Sequence, residues 1–418
     1  MKKNLLYLSL MLSLFAFGQT NLKIMSYNLL DFPIPLPNER LPFLTSILSE
    51  VQPDIFMVCE LGSETAANSI LNTALQTQDN RFARAVFVPN TSSSFQELQQ
   101  LVFYNSHKLL LTAQSEIPTG VRDINHYTFK LKTENAATNP IYLEVFVAHL
   151  KSSQGASNEA ARLGMVTDFI DVLKLIPTNH FVLIGGDFNL YKSTEEAYQK
   201  LLEATNNIVL VDPINRSGNW NNNALFADIH TQSTHTNTFY YNGTDAYGAG
   251  GGLNDRFDFI LMSKNLQTSA DLYYVANSYK AFGNNGNCYD KSINNTSCTG
   301  IFSQTTRNNL YNMSDHLPVV MELETPENTL AIGTQTLDES LTFNNGNLVY
   351  DWLELKTDPS LKGQSLSVYN QLGQTVYKHL ISSTNLIKID ITPLKTGVYY
   401  IKIDKLYLSK PLKFIKLH

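Results

Sequence analysis

Between residues 22 and 324 short apolar runs recur, and several lead into a polar residue able to do chemistry. Ile55-Phe56-Met57-Val58 leads into Cys59-Glu60, Val145-Phe146-Val147-Ala148 into His149-Leu150-Lys151, and Phe181-Val182-Leu183-Ile184 into Gly186-Asp187-Phe188-Asn189. Ser26-Tyr27-Asn28, Arg256-Phe257-Asp258 and Ser314-Asp315-His316 stand at the edges of further apolar runs. Short runs rich in Val, Ile and Phe read as buried strands, so their terminal polar residues are expected together at the rim of a sheet.

Two stretches carry helical spacing instead. Residues 38–51 place Leu41, Leu44, Ile47, Leu48 and Val51 on one face, and residues 158–176 do the same with Leu163, Val166, Phe169, Ile170 and Leu173. Together these patterns predict an α/β domain dominated by strands. Residues 240–253 are rich in Gly, end in Gly250-Gly251-Gly252 and lack periodicity, which predicts a mobile loop rather than a phosphate cradle. After Glu324 the composition changes and alternating strands resume without any acid or histidine motif. Residues 366–369 and 375–377 flank the turn Gln371-Leu372-Gly373-Gln374 as a hairpin, and residues 387–391 and 398–403 form another joined pair. Lys2 and Lys3, an apolar stretch from Leu5 to Phe17 and the small-residue pattern Ala16-Phe17-Gly18 read as a signal peptide, too short for a spanning helix. The expected organisation is therefore a signal peptide at 1–18, a catalytic domain at 19–324, a linker at 325–345 and a small all-β module at 346–418.

With 43% hydrophobic and 16% charged residues, the chain has ample material for two folded cores. The net charge of −6 is uneven: residues 385–418 hold seven Lys against two Asp, a balance of +5, which leaves −11 for residues 1–384. A general basic face for polyanions is thereby excluded from the larger part, so nucleic-acid contact there needs local Lys or Arg and bound cations. Export permits disulfides; Cys288 and Cys298 flank a polar loop and are expected to bridge, leaving Cys59 buried and free, with three reduced thiols as the alternative.

Hydrolysis of a phosphodiester needs a nucleophilic water, neutralisation of phosphate charge and a proton for the leaving oxygen. Glu60 leaves its strand with no cationic neighbour in sequence, which suits a metal ligand; Asn28 offers a neutral oxygen to the same ion, or else is a turn residue bonding its own backbone. Asp187 and Asn189, two positions apart at a strand end, would face one way and grip one water or phosphate. Asp315 and His316 are adjacent and serve one site only if the chain bends before Pro318. His316 needs a partner to fix its tautomer, and Asp258 is the candidate, unless Arg256 takes Asp258 for a structural pair. His149 and Lys151 supply a proton donor and a phosphate-binding cation two residues apart.

Taken in order, Ser-Tyr-Asn, Glu60, His149-Leu-Lys, Gly-Asp-Phe-Asn, Asp258 and Ser-Asp-His-Leu-Pro-Val resemble the endonuclease/exonuclease/phosphatase superfamily over residues 22–324. The resemblance implies a four-layered sandwich of two mixed β-sheets flanked by helices, with Mg²⁺, or alternatively Mn²⁺ or Ca²⁺, held by Asn28, Glu60 and Asp315. It further implies that Asp187 and Asn189 position water and phosphate, that Asp315 helps at the metal or orients a histidine, and that His316 paired with Asp258 is the general base. A histidine at position 149 resembles the secreted deoxyribonuclease and sphingomyelinase branches, where it is a general acid. Residues 366–418 resemble the C-terminal sorting domain of type IX secretion substrates, which implies passage through the secretion machinery to the cell surface or the medium.

The expected protein is a monomer without a membrane span: a secreted, metal-dependent phosphodiesterase, foremost an endonuclease on extracellular DNA or RNA. A sphingomyelinase-like phospholipid phosphodiesterase or a phosphatase of the same superfamily is the alternative, and a non-enzymatic adhesion module is the third reading. Residues 114–126 and 219–238 are the loops expected to carry substrate choice.

Overall fold

A computed structural model describes residues 20–34, 40–76, 81–92, 98–241, 245–329, 341–357, 361–382, 385–403 and 411–417. The signal peptide and the start of the first expected helix lie outside these residues. The chain divides into two compact units, Met1–Thr329 and Leu330–His418.

In the first unit the elements run β1 (Thr20–Phe32), α1 (Leu41–Val51), β2 (Ile55–Leu61), α2 (Glu64–Ser69), β3 (Phe82–Arg84), β4 (Gln99–Asn105), β5 (Leu109–Ile117), β6 (Ile124–Leu131) and β7 (Tyr142–His149). They continue as α3 (Ala156–Leu173), β8 (Phe181–Asp187), α4 (Glu196–Leu201), β9 (Leu210–Val211), β10 (Phe239–Tyr241), β11 (Asp245–Tyr247), β12 (Asp258–Ser263), β13 (Tyr273–Tyr274), β14 (Lys280–Ala281), α5 (Gln304–Met313) and β15 (Val319–Thr325). One sheet has the order β13-β15-β1-β2-β4-β3, with β14 also on β15; the other has β5-β6-β7-β8-β12-β9. Both are mixed, because β1 with β2 and β7 with β8 are parallel while their outer neighbours are antiparallel.

Strand alternation explains the layers. In β8, Leu183 enters the core shared with the first sheet, whereas Val182 and Ile184 join the core beneath α3; β12 splits the same way, with Ile260 and Met262 inward and Phe259 and Leu261 outward. Leu44, Ile47, Leu48 and Val51 of α1, with Leu310 and Met313 of α5, belong to the first core. Met165, Val166, Phe169, Ile170 and Leu173 of α3 belong to the second. The expected four-layered sandwich results: helices, sheet, sheet, helices. Among the described residues no helix is long and apolar enough to cross a membrane.

Two local readings change. At the start of the Gly-rich stretch two short strands pair antiparallel, with Phe239 opposite Tyr247, as their aromatic β-formers favour. The second helix starts at Ala156 and stops at Leu173, so Ile176 lies in the turn that follows. Cys288 and Cys298 form the expected disulfide, their Cα atoms 5.2 Å apart, and Cys59 is free and buried.

The second unit is all-β: β16 (Leu341–Phe343), β17 (Leu348–Val349), β18 (Trp352–Thr357), β19 (Ser365–Tyr369), β20 (Thr375–Leu380), β21 (Asn385–Asp390), β22 (Gly397–Ile403) and β23 (Leu412–Lys416). The hairpin β19/β20 forms, and Asn370 Oδ1 accepts from the amides of Leu372 and Gln374 to close its turn. The other expected pair does not form: β21 pairs with β18, while β22 lies between β19 and β23 in a separate sheet. Alternation identifies both strands, but partner choice follows the shared core, where Ile387 and Ile389 meet Ile401 and Ile403.

The denatured, unreduced protein is expected to show one free thiol by thiol titration. Reduction of the bridge, which closes a loop of sequence separation 10, should cost about 3 kcal/mol of stability in denaturant unfolding; three titratable thiols would contradict the pairing.

Candidate active site

Strand register assembles the motif residues. His149 closes β7 directly beside Asp187 at the close of the parallel strand β8, and Asp258 opens the antiparallel β12 opposite the same Asp187. Asn28 on β1 pairs with Cys59 on β2, which brings Glu60 to that end, and β15 begins at Val319, just after His316. The parallel strands therefore finish, and their antiparallel neighbours begin, on one rim. Gly186 makes the approach possible: at φ +142° it sits so near β7 that an added Cβ would lie 1.8 Å from the Ala148 oxygen.

Ligand atoms of Glu60, His149 and Asp187 all lie within 4.8 Å of one another. His149 Nε2 is 3.5 Å from Asp187 Oδ2 and 3.8 Å from Glu60 Oε1. Asn28 completes the cluster, its Nδ2 donating to Glu60 Oε1 at 2.8 Å and to Asp187 Oδ2 at 3.1 Å. Glu60 itself has φ 56°, a left-handed backbone that a non-glycine residue adopts only where the surroundings impose it.

Burial pushes the Asp187 carboxyl up to about 7, with the charges of Asp258 and Glu60 adding to the rise and His316 opposing it. Glu60 is raised likewise, by burial and then by Asp315. Crowded acids of this kind suit a bound cation, and oxygen donors suit a hard divalent one. Glu60 and Asp187 fit directly; Asn28 lies against both, with its Oδ1 held by the Leu30 amide at 2.9 Å, so its carbonyl oxygen reaches an ion only by giving up that bond.

Beside this group His316 Nδ1 meets Asp258 Oδ2 at 2.7 Å, and both residues are buried. Its Nε2 is 3.8 Å from Asp187 Oδ2 and 3.9 Å from Asp315 Oδ1. Burial alone would lower the His316 pKa, yet Asp258, Asp315 and Asp187 outweigh it and raise the value well above that of an ordinary histidine. Arg256 does not compete for Asp258: its guanidinium forks onto Asp212 at 2.8 and 3.0 Å. Asp315 reaches the rim because the chain bends before Pro318, and its Oδ2 accepts from the Ala249 amide at 2.8 Å.

Other expected residues stand differently. Asn189 does not face along an extended strand with Asp187, since β8 ends there and Asn189 turns at φ 51°. Its backbone amide donates to Asp187 Oδ1 at 3.0 Å and its side-chain amide to the Leu150 oxygen at 3.3 Å. Lys151 Nζ donates to the Ser152 oxygen at 3.0 Å. The His149 pKa falls well below the ordinary value through burial, then through Arg122, His316 and Lys151, so the imidazole is neutral in the metal-free state.

Two residues that sequence reasoning passed over lie at the site. Arg122 is buried, feels the charges of Glu60 and Asp187, and leaves Nε and Nη1 without a hydrogen-bond partner among the described residues. Gln232 Nε2 lies 2.8 Å from His316 Nε2 and 3.4 Å from Asp315 Oδ2. Both fall in the loops assigned to substrate choice, and a lone Arg ahead of the apolar start of β6 was the available signal for the first.

Residues 349–416 match the family described as a secretion system C-terminal sorting domain. The chain carries a secretion tail. That tail makes the protein a secreted or cell-surface one. No curated protein matches the chain. Among solved structures, the chain is similar to D. rerio TDP2 complexed with a single-strand DNA product, at 16% identity and TM-score 0.48, over 73% of this chain and 100% of that one. It is also similar to an endonuclease/exonuclease/phosphatase family protein from Bacteroides thetaiotaomicron, at 16% identity and TM-score 0.47, over 74% and 99%. A third is a mannosyl-6-phosphatase from Bacteroides thetaiotaomicron, at 16% identity and TM-score 0.44, over 72% and 99%.

A carboxyl raised from 3.8 to about 7 holds its proton more tightly in the folded state than in the unfolded one. Its contribution to stability is therefore complete below 3.8 and is lost as pH rises through about 7. Metal-free protein is expected to lose thermal stability over that interval, and Mg²⁺ to restore more of it at pH 8 than at pH 5.5. Asp187→Asn should flatten both trends in melting curves taken with and without chelator; identical curves for the two proteins would refute the assignment.

Proposed function

We propose that residues 20–329 form a divalent-metal-dependent phosphodiesterase that hydrolyses nucleic acid outside the cell. The observation that carries this reading is a single buried carboxylate, Asp187, flanked by two imidazoles: His149 Nε2 at 3.5 Å and His316 Nε2 at 3.8 Å. One imidazole can take a proton while the other gives one, across a site that attracts a cation.

Glu60 and Asp187 would hold the ion, with Asn28 and Asp315 beside them. A bound cation supplies neutralisation of the charge that builds on the phosphate. With an ion held there, Asp187 would weigh less on His316, whose raised proton affinity comes first from Asp258 and Asp315. His316 then accepts a proton through Nε2 from the attacking water, while Asp258 steadies the imidazolium through Nδ1. Arg122 directs its unpaired N–H groups to the phosphate oxygens. An anionic phosphate beside His149 raises the proton affinity that Arg122 depresses, so His149 carries a proton to the leaving oxygen. One P–O bond forms with the water, the bond to the leaving oxygen breaks, and a hydroxyl leaves. Asn189, through its backbone amide on Asp187, fixes the carboxylate that lies between the two histidines.

Plasmid nicking with Mg²⁺ should disappear with chelator, and His316→Ala should lower kcat by about 10³-fold. Arg122→Ala should chiefly raise KM, by about tenfold for a lost charge-assisted contact. A panel of DNA, RNA, sphingomyelin vesicles and sugar phosphates assigns the substrate; absence of chelator-sensitive hydrolysis of either nucleic acid overturns the proposal.

A further inference from the structure

Arg40 is 1% exposed, yet no carboxylate accepts from its guanidinium among the described residues. All its acceptors are main-chain carbonyls. Nη1 donates to Leu29 at 2.8 Å and to Met313 at 2.6 Å, and Nη2 donates to Leu30 at 2.7 Å and to Ile34 at 3.3 Å. Nε is buried without a hydrogen-bond partner among the described residues. Burial lowers its pKa to about 10, which leaves the group charged at neutral pH.

These carbonyls belong to the two segments that present the site. Leu29 and Leu30 follow Asn28, and Met313 precedes Ser314-Asp315-His316. At Leu30 and Asp31 the backbone turns left-handed, with φ 49° and 47°, and the pairing of β1 with β2 shifts register between Asn28 and Phe32. The bend has direct consequences. The Leu30 amide donates to Asn28 Oδ1 at 2.9 Å and the Asp31 amide to Glu60 Oε2 at 3.2 Å. Across the gap, Ser314 Oγ donates to the Asn28 oxygen at 2.7 Å and accepts from the His316 amide at 3.1 Å. Two consecutive left-handed residues without glycine are costly, so the bend persists only while its carbonyls are gripped.

We infer that Arg40 is a positioning residue for the metal-and-histidine site: its forked guanidinium fixes the Asn28 bend to the segment carrying Asp315 and His316. The inference rests on the proposed phosphodiesterase reading. A guanidinium is needed because its donors diverge in one plane and reach carbonyls on both segments at once; an ammonium is a single point and cannot span them.

The test uses the full chain with Arg40→Lys. Loss of a group that orients ligands costs about ten- to a hundredfold in metal affinity or activity. The half-saturating Mg²⁺ concentration for thermal stabilisation should rise by about tenfold. The kcat for DNA cleavage should fall similarly, with KM within about twofold since Arg40 touches no substrate. A folded Arg40→Lys protein with a lower Tm but unchanged Mg²⁺ half-saturation and kcat overturns the inference, since only scaffold stability was lost. Wild-type protein that shows no stabilisation by Mg²⁺ overturns the inference and the phosphodiesterase reading together. Where Arg40→Lys does not fold, Ser314→Ala, which cuts the other link to Asn28, carries the test with the same outcomes.

Discussion

Asp187 lies where three strands meet, with the end of β7 on one side and the start of β12 on the other. Its carboxylate is buried, and Glu60, Asp258 and Asp315 crowd the same rim. Taking several negative charges out of water is unfavourable unless something opposes them. Within the chain that opposition comes from His316, which stays protonated, and from buried Arg122. His316 Nε2 stands 3.8 Å from Asp187, and among the described residues Arg122 forms no ion pair with Glu60 or Asp187, so the negative field remains partly uncompensated. A fold that tolerates this arrangement keeps three potential ligand residues, Glu60, His149 and Asp187, within reach of one ion.

The backbone holds the same tension. Glu60 and Asn189 take left-handed conformations, and Gly186 adopts φ +142° against its neighbouring strand. Each marks a place where a strand is forced off its regular course so that a side chain or amide turns into the site. Such departures survive because the two sheets beneath are fully packed, with Met57, Val58, Val145, Val147 and Leu183 completely buried. Core stability and site geometry are linked in this sense: the apolar strands supply the free energy that the rim spends.

How much of this was legible depended on what each residue's signal was. Apolar runs ending in Glu60, His149 and Asp187, and the one that Asp258 opens, were readable because strand period and burial act locally. The rim followed, since strand ends with polar residues have few other places to go. Asn189 misled, because the spacing of two presumes an extended chain, and the left-handed turn after Asp187 leaves no mark beyond an Asn. Arg122 and Gln232 lie in loops with no periodicity, and their relevance is purely spatial: one faces acids contributed by β2 and β8, the other a histidine 84 positions away. In the second unit, β21 and β22 were recognisable as strands but not as members of different sheets, because alternation says which face is apolar and nothing about the partner.

Export and site assembly are also coupled. The Cys288–Cys298 bridge closes a loop whose Ile293 amide donates to the Thr234 oxygen and whose Ser292 hydroxyl accepts from the Thr236 amide. Thr234 in turn donates to the Ser314 oxygen and lies two residues from Gln232, which touches His316. A covalent tie that forms only in an oxidising compartment therefore steadies the segment facing the histidine dyad. The sorting tail makes the protein a secreted or cell-surface one. The crowded carboxylates of Glu60, Asp187 and Asp315 stand on the other side of the same dyad. Oxidation therefore restrains the loop against which the histidine and its crowded acids are held.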